Sequence, residues 1–220
     1  MRYRLRDFAS GAVDFSRIAL VIVIAVLVLV ITAVYTDSVD ARIKADKVAA
    51  HVEQLQDDRI TLDLAIEFGF DPIIVQVTRQ LARNAFRENA CDCPTWRFVK
   101  TDYELTYIIL SLAQAESGGD FRAYNPSGAS GLTQLLFSTA RQYDAELKPG
   151  ELFTIPKHLQ IATTHFVSLL KKYHGNTALA VISWNRGAGA VDRLIALGQS
   201  PENNYAYTVF TRAAARNAAR

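Results

Sequence analysis

The sequence predicts a mainly α-helical protein with one membrane span, a helical stalk and one domain of ordinary size. Three observations support this class. An uncharged apolar run near the N-terminus is long enough to cross a bilayer, and the apolar residues after it recur in steps of three and four. Strand-like alternation is scarce in the remainder of the 220 residues, a length that can bury a real core.

Residues 18–35 form the predicted transmembrane helix. They contain no charge, glycine or proline, and Thr32 is their one clearly polar residue. A cleaved signal peptide is the competing interpretation. The apolar region of a signal peptide should be shorter and should end in a small-x-small cleavage site. This apolar run instead ends in Ala33, Val34, Tyr35 and Thr36. We therefore expect the span to be retained, with residues 1–17 as a short cytoplasmic tail.

Basic residues on the two sides of the span give only a weak indication of its orientation. Four arginines precede it and three basic residues follow closely, so the positive-inside count favours a cytoplasmic N-terminus by one. Charge alone leaves the topology open. The residues counted are Arg2, Arg4, Arg6 and Arg17 before the span and Arg42, Lys44 and Lys47 after it.

Composition argues against two classes of function. The net charge is +2, with no block of like charges and no basic stripe interleaved with aromatic residues, so nucleic acid is not an expected partner. The four histidines and the pair Cys91 and Cys93 do not provide metal-ligand spacing, so no metal or other cofactor is expected. The two cysteines fit either a tight, strained disulfide or intermolecular bond, or two free thiols.

Residues 36–70 form a predicted helical stalk. Its apolar residues follow alternating steps of three and four, a seam interrupted only where Arg59 takes an expected apolar position. The seam could pair with other copies of the chain, but it is short and contains two alanines. Packing against the chain's own domain is the favoured expectation, and the case for a homo-oligomer is weak. The seam residues are Ala41, Ala45, Val48, Val52, Leu55, Leu62 and Ile66.

The domain is predicted to span residues 71–220. Asp71 can cap a new helix and Pro72 can occupy its first turn, where a missing N–H costs nothing. This helix should run to about residue 86, and an irregular stretch follows to residue 102. Further helices are expected up to residue 116 and over residues 137–146, 158–173, 177–183, 188–197 and 204–219.

Glu116 is the first candidate for chemistry. Leu105, Ile108, Ile109 and Leu112 fall at helical spacing, and Glu116 continues their apolar stripe. A carboxylate on a buried stripe loses water, which raises its pKa, so it can hold a proton near neutral pH and donate it. The competing interpretation is a helix-end carboxylate that turns out to solvent. This segment alone does not decide between them.

Residues 123–140 read AYNPSGASGLTQLLFSTA and follow this helix. Gly128 and Gly131 flank a turn, and Gln134 is expected at the start of an apolar helix. Glycine allows backbone to approach a ligand closely, and the glutamine offers both a donor and an acceptor. Taken alone, this is a loop before a helix.

Three segments in order make a more specific pattern. The Glu-Ser pair, the GASGLTQ segment and the segment ALAVISWNRGAGAV at residues 178–191 closely resemble the motifs of the lytic transglycosylase family, over about residues 103–210. The catalytic domains of soluble lytic transglycosylases in this family have a lysozyme-like fold related to goose-type lysozyme. The resemblance therefore implies a lysozyme-like domain here.

Site residues can be carried over position by position. The resemblance implies Glu116 as catalytic acid and base, and Tyr205 as the late tyrosine, with Val209 four residues on and Tyr207 as a competitor. Asn125, in the glycine-containing loop, is also expected to bind substrate. The remaining substrate-binding residues expected from the motifs are Ser117, Gln134, Trp184 and Asn185.

Two departures from the family pattern concern the substrate site. Thr133 stands where methionine is usual, and Trp184 replaces a tyrosine, which keeps an aromatic face but removes a hydroxyl. No second acid is convincing, in contrast to most glycosidases, which use two carboxylates. The acids considered are Asp120, which the glycines separate from the helix, and Asp144, Glu146 and Asp192, which resemble solvated helix-face charges.

The resemblance implies a peptidoglycan lytic transglycosylase that cleaves between N-acetylmuramic acid and N-acetylglucosamine and forms a 1,6-anhydro sugar. A bacterial inner-membrane protein with a periplasmic domain is then expected, because that is where its substrate lies. Two alternatives remain at this stage. One is a goose-type lysozyme that releases the sugar to water, and the other is a weakly active component of a secretion, conjugation or phage envelope-crossing machine, in the last case associated with a virion.

Overall fold

The computed structural model describes residues 15–89 and 99–217. Most of the predicted cytoplasmic tail, together with Cys91 and Cys93, lies outside these residues. The chain divides into two compact units, Met1–Asp57 and Asp58–Arg220. The predicted mainly α class is confirmed. The helices are α1 Phe15–Phe68, α2 Pro72–Asn89, α3 Asp102–Glu116, α4 Phe137–Ala140, α5 Ile155–Lys172, α6 Thr177–Arg186, α7 Ala188–Ala196 and α8 Tyr205–Asn217.

Helix α1 contains both the predicted span and the predicted stalk. An 18-residue window of it has a mean hydropathy of 2.4, and none of that window is buried. The large apolar side chains from Ile22 to Tyr35 are 52% to 69% exposed. Apolar side chains left in the open along a long helix are compatible with a single crossing of a membrane, where lipid would cover them.

Two large seam residues of the second unit, Leu62 and Ile66, are exposed, so the expectation that the seam packs against the chain's own domain is wrong for them. For the seam residues before Asp58 it stays a prediction. A different face of the helix, containing Leu64, Ala65 and Phe68, is buried instead. Pairing of the seam with another copy stays a prediction. The exposed fractions are 63% for Val48, 47% for Val52, 54% for Leu55, 53% for Leu62 and 76% for Ile66.

The second unit begins at Asp58, earlier than the predicted domain start at residue 71. The last turns of α1 belong to this unit and contribute to its core. The guanidinium of Arg79 on α2 donates to Thr61 Oγ1 at 2.7 Å, and the ring of Phe68 lies edge-on to that of Tyr107 with centroids 5.0 Å apart. These contacts make the end of the predicted stalk a structural part of the domain.

Helices α2 and α3 begin as their sequences indicate. The side chain of Asp71 accepts a hydrogen bond from the backbone N–H of Ile73 at 2.9 Å, which confirms the predicted cap. Thr101 and Glu104 form a reciprocal capping box at the start of α3. Helix α3 then runs through the core, and its fully buried large side chains are Leu105, Ile109, Leu110 and Leu112.

The segment after α3 differs from the predicted helix. Gln134 lies in a turn with φ of +49°, not at a helix start. Strands β1, Ala129–Ser130, and β2, Leu135–Leu136, pair antiparallel around that turn. Helix α4 ends at Ala140 instead of residue 146. Arg141 is its C-cap, with its backbone N–H donating to the carbonyl of Phe137 at 3.0 Å, and the chain then turns so that Nε of Arg141 donates to the carbonyl of Ala145 at 3.0 Å.

Helices α2, α5 and α8 pack against α3, while α6 packs against α5, α7 and α8. Helix α5 begins earlier than predicted, at Ile155, α6 extends to Arg186, and α7 and α8 lie close to their predicted bounds. Two clusters form the core. The larger includes α3 and residues of α2, α5, α6 and α8. The smaller is beside the hairpin and consists of Leu135, Ala140, Leu147, Leu152, Ile161 and Ala162.

Candidate active site

Glu116 is the last residue of α3, at the end of the buried stripe. Leu105, Ile109 and Leu112 are fully buried, and Ile108 packs partly buried against the same core. Glu116 is itself half-buried, so the prediction that it lies on the apolar face is correct. Burial raises the pKa of the Glu116 carboxyl, because desolvation penalises its charged form.

Tyr205 contacts the acid directly. Its hydroxyl donates a hydrogen bond to Oε1 of Glu116, an interaction that lowers the pKa and so works against the larger effect of burial. Helix α8 begins at Tyr205, and Val209, one turn later, is fully buried and holds the helix on the core. Tyr207 is 69% exposed. Of the two tyrosines considered from sequence, Tyr205 is therefore the one in contact with Glu116.

A short link joins the acid to the hairpin loop. Ser117 Oγ lies 2.7 Å from the backbone carbonyl of Leu132 and donates to it, and it accepts from the backbone N–H of Gly119 at 3.2 Å. Leu132 is fully buried and lies two residues before Gln134. The Ser117 hydroxyl thus fixes the loop relative to the end of α3. Its hydrogen is donated to a backbone carbonyl of the protein.

His158 anchors the same loop from the other side. Its Nδ1 lies 3.0 Å from the carbonyl oxygen of Leu152, which can only accept, so Nδ1 carries the hydrogen. Its Nε2 then accepts from the backbone N–H of Thr133 at 3.1 Å and faces the Thr133 hydroxyl at 2.9 Å. The departure from methionine at position 133 is thereby explained, because Thr133 supplies a polar partner for a buried histidine.

Gly131 fits closely against this anchor. Its φ is +72°, and a Cβ there would lie 2.5 Å from His158 Nδ1 and 2.8 Å from the Leu152 carbonyl oxygen. Both the left-handed backbone and the lack of space require glycine. The packing of His158 against bare backbone therefore sets the path of the chain that leads into Gln134.

Gln134 presents its side chain at a pocket. Its Nε2 donates to the carbonyls of Gly131 at 3.0 Å and Ala123 at 3.3 Å, which fixes the amide orientation. Among the described residues, no donor contacts its Oε1. The pocket has a volume of about 430 Å³ and includes Gln134, Gln142, His165, Trp184, Asn185 and Arg186 in its wall. Glu116 and Tyr205 are not among its lining residues. The acid is connected to the pocket through Ser117, which bonds to the carbonyl of Leu132 two residues before Gln134.

Trp184 and Asn185 form one wall of the pocket. Trp184 is half-buried and packs against both core clusters, with its ring 4.9 Å from that of His165 and 6.3 Å from that of Phe166. Trp184 is therefore both a core residue and an aromatic part of the pocket wall. Asn185 is exposed, and its Oδ1 accepts from Nδ2 of Asn203 at 2.8 Å.

Comparison with known proteins identifies the domain. Residues 98–206 match the family model described as Transglycosylase SLT domain. This part of the chain belongs to the transglycosylase SLT domain family. The resemblance predicted from the motifs is confirmed, and with it a lysozyme-like fold. The match supports lytic transglycosylase activity in general and implies binding of peptidoglycan.

The hydrogen bonds of Asn125 in the described part of the SLT domain are local. Its side-chain Oδ1 accepts from the backbone N–H of Ser127 at 3.0 Å, and its carbonyl accepts from Gly128 at 2.8 Å. The residue is exposed and does not line the pocket. Its observed contacts are those of a turn, so a role in substrate binding stays a prediction.

The other acids considered in the SLT domain have different surroundings from Glu116. Asp144 lies 2.9 Å from Lys157, and Asp192 lies 2.8 Å from Lys172. The hydrogen bond from each lysine lowers the pKa of its carboxyl, so both acids remain ionised near neutral pH. The side chain of Asp120 accepts from the backbone N–H of Arg122 at 2.8 Å. These are structural roles.

The pocket wall of the SLT domain also contains a residue that sequence reasoning missed. His165 lines the pocket and contacts Trp184, and Tyr143 and Ser168 are hydrogen-bonded to it. No motif or short spacing joins Tyr143 to the other two, because the contact arises from packing of the segment after α4 on α5. The sequence offered one indication of His165, namely that it directly precedes an apolar residue on a helix with clear apolar periodicity.

Proposed function

We propose that the protein is a membrane-anchored lytic transglycosylase that cleaves the β-1,4 bond between N-acetylmuramic acid and N-acetylglucosamine in peptidoglycan. The product carries a 1,6-anhydro ring. The observation that supports this most is the half-buried acid Glu116 in an SLT domain, with its pKa raised by burial and its Oε1 held by Tyr205.

The arrangement of Glu116 suits a carboxylic acid that must both give and take a proton. Tyr205 donates to Oε1, so Oε2 is the atom that bears the acidic proton. Oε2 gives this proton to the glycosidic oxygen as the bond to C1 breaks. The resulting carboxylate then accepts the proton of the muramoyl 6-hydroxyl, whose oxygen forms the new bond to C1. Water is not consumed, and the acid is regenerated.

The pocket beside the acid supports binding of sugar rings. Trp184 offers an aromatic face, while Gln134 and Asn185 offer amide groups whose orientations are fixed by Gly131 and Asn203. Apolar faces with a few oriented polar groups are typical of small-molecule sites. The short link through Ser117 joins the end of α3, where Glu116 lies, to the loop that leads to Gln134.

The properties of α1 support anchoring. Its apolar window is exposed along its length, which favours an apolar environment that water does not provide. Because peptidoglycan lies outside the inner membrane, we propose that the domain is periplasmic and residues 1–17 are cytoplasmic. Envelope fractionation tests this, since an anchored protein stays in the membrane with its N-terminus intact, while a soluble, N-terminally shortened protein would contradict anchoring.

Product analysis in heavy-oxygen water tests the reaction. Full-length protein in detergent is incubated with purified sacculi, and the released muropeptides are measured by mass spectrometry. A lytic transglycosylase gives anhydro ends without the heavy isotope, because its 6-hydroxyl attacks C1. A lysozyme-like hydrolase gives reducing ends that carry it, and no release at all would favour a weakly active component of an envelope machine. Either of these results would contradict the proposal.

A further inference from the structure

Three side chains behind the pocket wall form a connected set of hydrogen bonds. Tyr143 follows α4, while His165 and Ser168 lie three residues apart on α5. The Tyr143 hydroxyl is 2.8 Å from Nδ1 of His165 and 2.7 Å from Oγ of Ser168. Ser168 Oγ is also 2.7 Å from the backbone carbonyl of His165. We call this set the tyrosine relay.

The hydrogens of the tyrosine relay can be assigned by counting donors. A carbonyl only accepts, so the single hydroxyl hydrogen of Ser168 points to the carbonyl of His165. Ser168 must therefore accept from Tyr143, which uses the single hydrogen of the tyrosine. Tyr143 can then only accept from His165, and Nδ1 of His165 must carry a hydrogen. In the neutral ring this leaves Nε2 as an unprotonated acceptor.

His165 is neutral at physiological pH, because burial lowers the pKa of its ring to about 4. The ring also lines the 430 Å³ pocket beside Trp184. Among the described residues, no donor contacts its Nε2. A ligand group that donates to this nitrogen would form a hydrogen bond that contributes to its affinity.

We propose that Nε2 of His165 binds substrate in this pocket by accepting a hydrogen bond from a neutral donor of the glycan. The donor is a sugar hydroxyl or the N–H of an acetamido group, and the tyrosine relay acts as the positioning device that keeps Nε2 free of hydrogen. This inference rests on the proposed glycan substrate. The relay selects the tautomer of His165 in which Nε2 is an acceptor. In the other tautomer Nε2 would carry a hydrogen and would be a donor instead.

Nitrogen NMR of histidine-labelled protein tests the tautomer without any substrate. The expected spectrum of full-length protein in detergent has an Nδ1–H, unprotonated Nε2 signal that His165→Asn removes. Tyr143→Phe keeps the ring packing on His165 but deletes the hydroxyl, so it should shift this signal toward the other tautomer. A protonated Nε2 in the wild type would overturn the proposal, whatever the enzyme's activity.

Binding and kinetics test the role of the free nitrogen. The side-chain amide of asparagine can take the position of Nδ1 in the histidine ring. The longer side chain of glutamine can instead place its amide oxygen, an acceptor, near the position of Nε2. His165→Asn should raise KM about threefold to tenfold with a smaller change in kcat, as expected for loss of one neutral hydrogen bond. His165→Gln should recover most of this loss. Equal KM values for the two variants and the wild type would overturn the proposal.

The identity of the donor is tested with two oligosaccharides of equal length bound to the inactive variant Glu116→Gln. One is built of N-acetylglucosamine and the other of glucose, which lacks the acetamido group. If an acetamido N–H is the donor, only the first shifts the Nε2 signal, whereas a hydroxyl donor gives a shift with both. Binding of the N-acetylglucosamine oligomer without a shift at Nε2 would overturn the proposal while leaving the catalytic function intact.

Discussion

Two histidines of α5 differ in how many of their ring nitrogens form hydrogen bonds within the described part of the structure. Burial lowers the pKa of both His158 and His165 to about 4, so both rings are neutral near pH 7. His158 is 1% exposed and uses both nitrogens inside the fold, one on Leu152 and the other on Thr133. His165 lines the pocket and uses only Nδ1, on Tyr143.

The difference shows that a lowered pKa does not by itself mark a functional histidine. Burial explains the neutral state of both rings, but the number of nitrogens already bonded separates an anchor from a binding group. His158 holds the loop that leads to Gln134, while His165 contributes to the wall that the substrate would touch. Variants that affect folding at one position and binding at the other can test this distinction.

The largest expected effect on stability is that of His158→Ala. The change leaves the N–H of Thr133 and the carbonyl of Leu152 without partners in a buried site and creates a cavity. We expect the free energy of unfolding to fall by about 3–5 kcal/mol. His165→Ala, the matched control, should cost less because that side chain is half exposed. Denaturant unfolding of full-length protein in detergent, followed by fluorescence, measures both, and equal losses would break the distinction.

Acid should destabilise the domain through His158. Its pKa is about 4 in the folded protein and 6.5 in the reference state, so the unfolded chain takes up a proton first as the pH falls. The contribution of the neutral ring is complete above pH 6.5 and is lost between pH 6.5 and 4, by about 3 kcal/mol. Unfolding measured across this window should therefore be less pH-dependent in His158→Gln than in wild type. An unchanged slope would contradict the assignment.

Gly131→Ala should lower the free energy of unfolding more than the same substitution at another glycine with positive φ, because it disturbs the packing around His158. A Cβ at Gly131 would meet both His158 and Leu152, and φ is +72°. We expect a loss of about 2–4 kcal/mol from overpacking together with backbone strain. Gly128→Ala is the matched control, because φ is +93° there but nothing lies within 4 Å, so only the strain remains. Similar melting temperatures for the two variants would argue against tight packing at His158.

The smallest expected effect is that of Thr133→Val. The backbone N–H still donates to His158 Nε2, and only the hydroxyl at 2.9 Å is lost. The free energy of unfolding should fall by about 1 kcal/mol, as for one neutral hydrogen bond. The free energy of unfolding should fall less in Thr133→Ser, which keeps the hydroxyl. If valine were as stable as threonine, the hydroxyl would have no part in the anchor.

Local pattern was sufficient to predict the position of Glu116 and the start of α2. The buried stripe of α3 repeats at helical spacing, and Asp71 with Pro72 is a strong start signal, so neither depends on distant contacts. The choice of Tyr205 over Tyr207 followed from its distance to Val209, which proved to be a core residue. These features are set within one or two turns of chain.

Other features depend on contacts that sequence spacing does not encode. The apolar run of Leu135, Leu136 and Phe137 fits a helix or a strand equally well, and only pairing with β1 makes part of it a strand. Tyr143 and His165 are 22 residues apart, and their bond follows from packing of the segment after α4 on α5. The packing of the end of the stalk seam was mispredicted, because periodicity indicates an apolar face but not which neighbour covers it.

The most direct test of the proposed mechanism is the Glu116→Gln variant. Glutamine keeps the shape and can accept from Tyr205, but it can neither donate a proton to the leaving oxygen nor take one from the 6-hydroxyl. Wild-type activity should also fall as the pH rises through the raised pKa of Glu116, because the protonated acid begins the reaction. Asp120→Asn, which alters an acid bonded only to a nearby backbone N–H, is the control.

The measurement is the rate at which full-length protein releases anhydro-muropeptides from sacculi, with folding checked by unfolding curves. We expect Glu116→Gln to lower this rate about a hundredfold to ten-thousandfold while it still folds and binds glycan, and Asp120→Asn to leave it near wild type. A folded Glu116→Gln protein that still released anhydro products within about tenfold of the wild-type rate would contradict the role of Glu116 and the mechanism built on it.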